Sequence, residues 1–227
     1  MYDDDDDDDD RSKATQDHRI LSVKCVTCRI DDGSSTSSMM DQSSCEECYY
    51  ISLCDSRGYL TVALLTHTLS VSKEKEKDEE EEGRCFCFQV LYEVQASVCP
   101  LLSSDLLMIR ASTLASGGRS SSNSIDYLLV FVGDTAGMVS VWLVKSSIHS
   151  SSSSSSRSIK LVQLEHYSAH DMGTNCIAAA VVNSDMQHHQ HRSCLLHVVV
   201  VSGGDDQALT CSRLVVSLSE VGFSIIT

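Results

Sequence analysis

The chain has 227 residues, 42% of them hydrophobic but only 5% aromatic, and a formal net charge of −15. Residues 3–10 are eight consecutive aspartates and residues 73–82 add a net four negative charges, which leaves three for everything else. A near-neutral body without a basic stripe argues against an independent grip on nucleic acid, because phosphate contacts dominate such binding.

Residues 1–17 read as a disordered acidic tail, since adjacent carboxylates repel one another and bury nothing. They contain no apolar core of a secretory signal, and no apolar run in the chain approaches the ~20 residues of a membrane-spanning helix. The eleven cysteines are therefore expected as reduced thiols in a cytoplasmic protein.

Short apolar runs of strand length follow. The first four cover 19–30, 49–53, 59–65 and 85–94, and the next four cover 105–112, 127–133, 138–144 and 159–166. Runs at 175–182, 195–202 and 208–218 begin a third set, with 221–227 as its outer strand. Val, Ile, Leu, Cys and Tyr dominate them, and turn signals recur at short intervals. Between them lie low-complexity insertions at about 31–44, 72–83, 146–158 and 187–193, whose serine, acidic and histidine runs cannot repay chain entropy by burial.

Two hairpins stand out: YLLVFVGDTAGMVSVW at 127–142 and HVVVVSGGDDQALTCS at 197–212. Each is an apolar run, a tight Gly/Asp turn and a second apolar run, and the turn at 55–58 has the same shape. Many runs are apolar at every position, as in Val198 to Val201, which implies strands buried on both faces. Parallel α/β sheets bury strands this way but need amphipathic helices, and no such stripe lies in the connections. Propeller blades also bury both faces, against the blades on either side. A blade takes roughly 40–45 residues. The expectation is thus an all-β, partial propeller of about three blades over 18–227, part of a larger propeller. Its two end faces would be uncovered and the isolated chain poorly soluble.

The hairpins resemble the WD40 repeat family. That resemblance implies a brace made by a His before the innermost strand, a Ser or Thr in the second strand, an Asp in the tight turn and a Trp in the third strand. His170, Ser202 and Asp206 match the first three positions of the last blade, with Ser212 at the Trp position. Trp142 matches in the middle blade, where Val132 and Ala136 stand at the Ser and Asp positions. Arg57 and Ala63 stand at the Asp and Trp positions of the first.

Residues 127–216, with AHDMGTNCIA at 169–178 and VVVSGGDDQALTC at 199–211, are further similar to WD-repeat subunits that accompany tRNA 2′-O-ribose methyltransferases. Such subunits serve modification of the anticodon wobble position. This likeness implies a non-catalytic scaffold whose partner is the methyltransferase, with tRNA contacted at most indirectly and no membrane or small-molecule substrate. A generic WD40 protein-interaction scaffold is the alternative.

A third reading comes from the cysteines. Cys25-x-x-Cys28 and Cys45-x-x-Cys48 have the spacing of a four-thiolate zinc module, although buried thiols in strands are ordinary core residues. His188, His189 and His191 read as a solvated loop, and Asp205-Asp206 as a turn cap. No nucleophile elbow, phosphate loop, GxGxxG or HExxH occurs. No catalytic residue, cofactor or resident metal is therefore assigned, and the binding residues stay open.

Overall fold

The computed structural model describes residues 18–29, 47–71, 82–112, 124–149, 156–186, 193–219 and 223–226. The acidic tail, residues 30–46 with Cys45, and parts of the other insertions lie outside them. The described residues form twelve β-strands and no helix, so none of them belongs to a helix long and apolar enough to cross a membrane. The chain is all-β, as its composition and turn spacing imply.

The strands make three four-stranded sheets, each an antiparallel meander in chain order. The first contains β1 (Ile20–Arg29), β2 (Glu47–Asp55), β3 (Tyr59–Val71) and β4 (Glu82–Gln95). The second contains β5 (Leu101–Ser112), β6 (Ser124–Asp134), β7 (Met138–His149) and β8 (Ser156–Ser168). The third contains β9 (Thr174–Met186), β10 (Ser193–Gly204), β11 (Leu209–Ser219) and β12 (Phe223–Ile226).

Most strands outrun the apolar stretches that mark them. In β7 and β8, Ser147 pairs with Ser158 and Ile148 with Arg157, inside the stretch read as an insertion. A ladder is built from backbone N–H and C=O groups and continues through polar residues once the apolar part has set its register. Similarly, β5 begins at Leu101, not at residue 105, because Leu101 and Ser103 pair with Asp134 and Gly133.

The second sheet is sandwiched. Every residue of β6 from Tyr127 to Asp134 is buried. Strand alternation sends Leu128, Val130 and Val132, with Trp142 and Val144, toward Tyr50, Leu60, Val62 and Leu64 of the first sheet. The intervening Leu129 and Phe131, with Val139 and Val141, meet Val198, Val200 and Val216 of the third. A strand with period-2 side chains that has no solvent face must be apolar at each position, which is what residues 127–132 are. At ~1.5–3 kcal/mol per fully buried large side chain, these two clusters supply the main force that stacks the sheets.

The leading strand of each sheet lies beside the next: β1 packs on β5 and β5 on β9. These strands are sheet edges, and side chains cover their unpaired groups. The Asp105 carboxylate accepts the Ala179 N–H at 2.7 Å, and the Ser103 hydroxyl donates to the Thr174 carbonyl at 2.8 Å. On the other side, the buried Ser104 hydroxyl lies 3.1 Å from that of Ser52 and 3.2 Å from that of Ser22.

Candidate functional site

The hairpin turns β2–β3, β6–β7 and β10–β11 lie at one end of the stack, and each is organised by one aspartate. Asp55 Oδ1 accepts the N–H groups of Arg57 and Tyr59, both at 2.8 Å. Asp134 Oδ1 accepts those of Ala136 and Met138 at 2.9 and 3.0 Å. Asp206 Oδ1 accepts that of Ala208 at 3.0 Å. Short carboxylates satisfy turn donors that no ladder reaches, which is why Asp recurs there.

Each carboxylate also holds a side chain from the segment that leads into its own sheet. His18 Nε2 lies 2.6 Å from Asp55 Oδ2. The Ser97 hydroxyl donates to Asp134 Oδ2 at 2.7 Å. His170 Nδ1 lies 3.1 Å from both Asp206 oxygens. The separations in sequence are 37, 37 and 36 residues. A backbone bond repeats beside each, from Ser56 N–H to Arg19 O, Thr135 N–H to Pro100 O and Asp205 N–H to Gly173 O.

These brackets also tie neighbouring sheets together. The Ala96 and Ser97 amides donate to Gly58 O of the first sheet's turn, while the Ser97 side chain holds Asp134 of the second. The Ala169 and His170 amides donate to Gly137 O of the second, while the His170 side chain holds Asp206 of the third. Gly58 and Gly137 have φ of 84° and 81°, and a Cβ there would meet Ser97 O at 2.1 Å or His170 O at 2.2 Å. Glycine is thus required twice over, by conformation and by the closeness of the linker.

Three of the four residues assigned from the WD40 resemblance come together. His170 is buried between Asp206 on Nδ1 and Ser202, whose hydroxyl lies 2.9 Å from Nε2. With Nδ1–H given to the carboxylate, Nε2 accepts the serine proton. This is the connectivity of a Ser–His–Asp nucleophilic triad. Ser202, however, is 3% exposed, and the three side chains join the second strand, the hairpin turn and the incoming segment of the third sheet. The Ala208 amide, followed by the Asp171 amide and the His170 ring, holds the Asp206 carboxyl below its ordinary range against a partial desolvation.

Trp142 stands apart, in the second sheet and on the face toward the first. Its indole Nε1 is buried and has no hydrogen-bond partner among the described residues. Positional matching put Arg57 and Ala136 at the aspartate position. The structure gives the carboxylate's work to Asp55 and Asp134, two residues earlier, because the first and third positions of so tight a turn lie against the same amides.

The cysteines do not form a shared centre in the described strands. Cys28 lies opposite Cys48 in register, but Cys25 pairs with Ile51, three positions from Cys48. Alternation therefore sets Cys25 and Cys48 on opposite faces of the sheet, and Cys25 is exposed while Cys48 is buried. Among the described residues no three His, Cys, Asp or Glu side chains are grouped to hold a metal. The Cys54 thiol is pushed up to about 12 by burial, with partial relief from the Ser104 hydroxyl and a small upward push from Asp55.

A shallow cleft of about 170 Å³ opens where the three leading strands meet, lined by Ser22, Lys24, Leu102, Ser104, Asn175 and Ile177 among others. Comparison with models of known protein families, with curated proteins and with solved structures gives no match to this chain.

Proposed function

We propose that the three sheets are consecutive blades of a WD40-type propeller. On this reading the chain is a non-catalytic scaffold that docks a tRNA 2′-O-ribose methyltransferase and supports modification of the wobble nucleotide. The observation that supports the reading is the bracket repeated at 37, 37 and 36 residues, once in each sheet, which includes His170, Ser202 and Asp206. Repeats held this way present rigid loops and strand edges to a partner. The specific partner rests on the likeness of residues 127–216 to the methyltransferase-associated WD-repeat subunits.

The chemistry of the bracket favours a scaffold over an enzyme, because its only nucleophile–base contact is sealed from solvent. The concentration of negative charge in the tail and in residues 73–82 favours a protein partner over direct tRNA contact. The test is affinity capture of the full chain from its own cells, followed by identification of stoichiometric partners. A ribose methyltransferase that is retained by the wild type and lost with Asp134→Ala supports the proposal. A different stable partner replaces it with the generic scaffold.

A further inference from the structure

The inference concerns the two ends of the stack and rests on the propeller reading above. Among the described residues, the first sheet turns one face to the second and none covers the other. On that open face Val23, Phe86, Phe88 and Val90 are 57%, 63%, 54% and 52% exposed. The register places them with Ile51, Leu53 and Leu65 in one apolar field. The third sheet's open face carries Val199, Val201, Val215 and Leu209, of which Val201 is 40% and Leu209 81% exposed. The faces also differ in charge: Glu93 lies on the first and Arg213 on the second.

Parts of the bracket that joins sheets within the chain recur at its ends. His18 holds Asp55 as Ser97 holds Asp134 and His170 holds Asp206. Between sheets, the Ser97 and His170 amides also reach Gly58 O and Gly137 O. The corresponding carbonyl of the third turn is that of Gln207, the residue with φ of 62°.

We propose that two copies of this chain associate head to tail, the open face of the first sheet in each copy covering the open face of the third sheet in the other. Four strands ~4.8 Å apart and about nine residues long present roughly 600 Å² per face. Two junctions then bury about 2,400 Å², within the range of obligate homodimers. A closed pair then holds six such sheets, within the four to eight that close radially.

The mass of the full chain by size exclusion with light scattering, at tens of micromolar, tests this. The expected result is twice 24.8 kDa. Phe88→Glu and Val201→Glu each remove one of the two faces, so either variant alone runs as a monomer. Mixed together they retain one intact junction and recover the doubled mass. A monomeric wild type, an open series of higher masses, or one variant that stays dimeric alone overturns the head-to-tail closed pair. Partner capture is measured separately, so a monomer that still retains the methyltransferase refutes this inference and leaves the proposed function standing.

Discussion

Replacing Asp134 with alanine probes the bracket at its most buried example. Asp134 is 4% exposed and accepts three hydrogen bonds, two from turn amides and one from the Ser97 hydroxyl. Bonds to a charged acceptor contribute ~1.5–3 kcal/mol each, and truncation leaves their donors without a partner. Partial rehydration of the turn offsets some of this, and the expected loss is about 3–5 kcal/mol. That is a large share of the ~5–15 kcal/mol available to a domain. With a urea slope of about 2–3 kcal/mol/M, the midpoint falls by about 1–2 M. Trp142, the only tryptophan, is buried between the first two sheets and reports the transition by fluorescence. Protein concentration must be held constant, since self-association shifts apparent stability. Asp134→Asn keeps one acceptor oxygen and loses less, about 1–2 kcal/mol. Thr135→Ala, at an exposed position of the same turn, leaves the midpoint unchanged. A double-mutant cycle with Ser97→Ala yields a coupling of about 1–2 kcal/mol. A midpoint for Asp134→Ala within about 0.2 M of wild type, or strict additivity with Ser97→Ala, refutes the bracket as a source of stability.

Further predictions concern the turns, a thiol and a carboxylate. Gly137→Ala places a Cβ against His170 O and lowers stability by at least about 2 kcal/mol, whereas Gln207→Gly relieves a left-handed backbone and raises it by about 1 kcal/mol; thermal melts of both separate the effects. The raised Cys54 pKa means that from about pH 9 upward the unfolded chain loses a proton that the native chain keeps. Stability therefore falls with rising pH by roughly 1.4 kcal/mol per unit toward pH 12, a slope that urea midpoints at pH 8 and 10 detect and Cys54→Ala removes. The lowered Asp206 pKa acts in the opposite sense. Its contribution is complete above the ordinary value of 3.8 and is lost as pH falls through the lower native value. Acid unfolding of Asp206→Asn is accordingly less steep below pH 4, and identical acid curves for the two proteins contradict the assignment.

How much of this was legible in the sequence depends on which force sets each feature. The hairpins were readable because apolar runs and Gly/Asp turns encode them locally. The two-sided burial of β6 was readable from 127–132, where no residue is polar. Strand ends were not, since pairs such as Ser147 with Ser158 form through the backbone and leave no apolar trace. His170, Ser202 and Asp206 could be grouped because their types matched a known repeat. Asp55 and Asp134 were visible as turn residues, but their partners His18 and Ser97 were not. The signal was present as a separation of 37 residues in each pair, and it is obscured because one pair uses histidine and the other serine. The paired CxxC motifs show the converse case, in which spacing is legible and faces are not. Their spacing suits zinc, yet antiparallel register and alternation decide which thiols share a face, and spacing alone carries neither.

The central claim is that this chain serves ribose methylation without performing it. The direct measurement is mass spectrometry of tRNA nucleosides after disruption of the gene in its native cell. The account predicts loss of the 2′-O-methyl group at the wobble nucleotide, with other ribose positions unaffected and restoration by the wild-type chain but not by Asp134→Ala. Unchanged wobble methylation in the disrupted cell contradicts it.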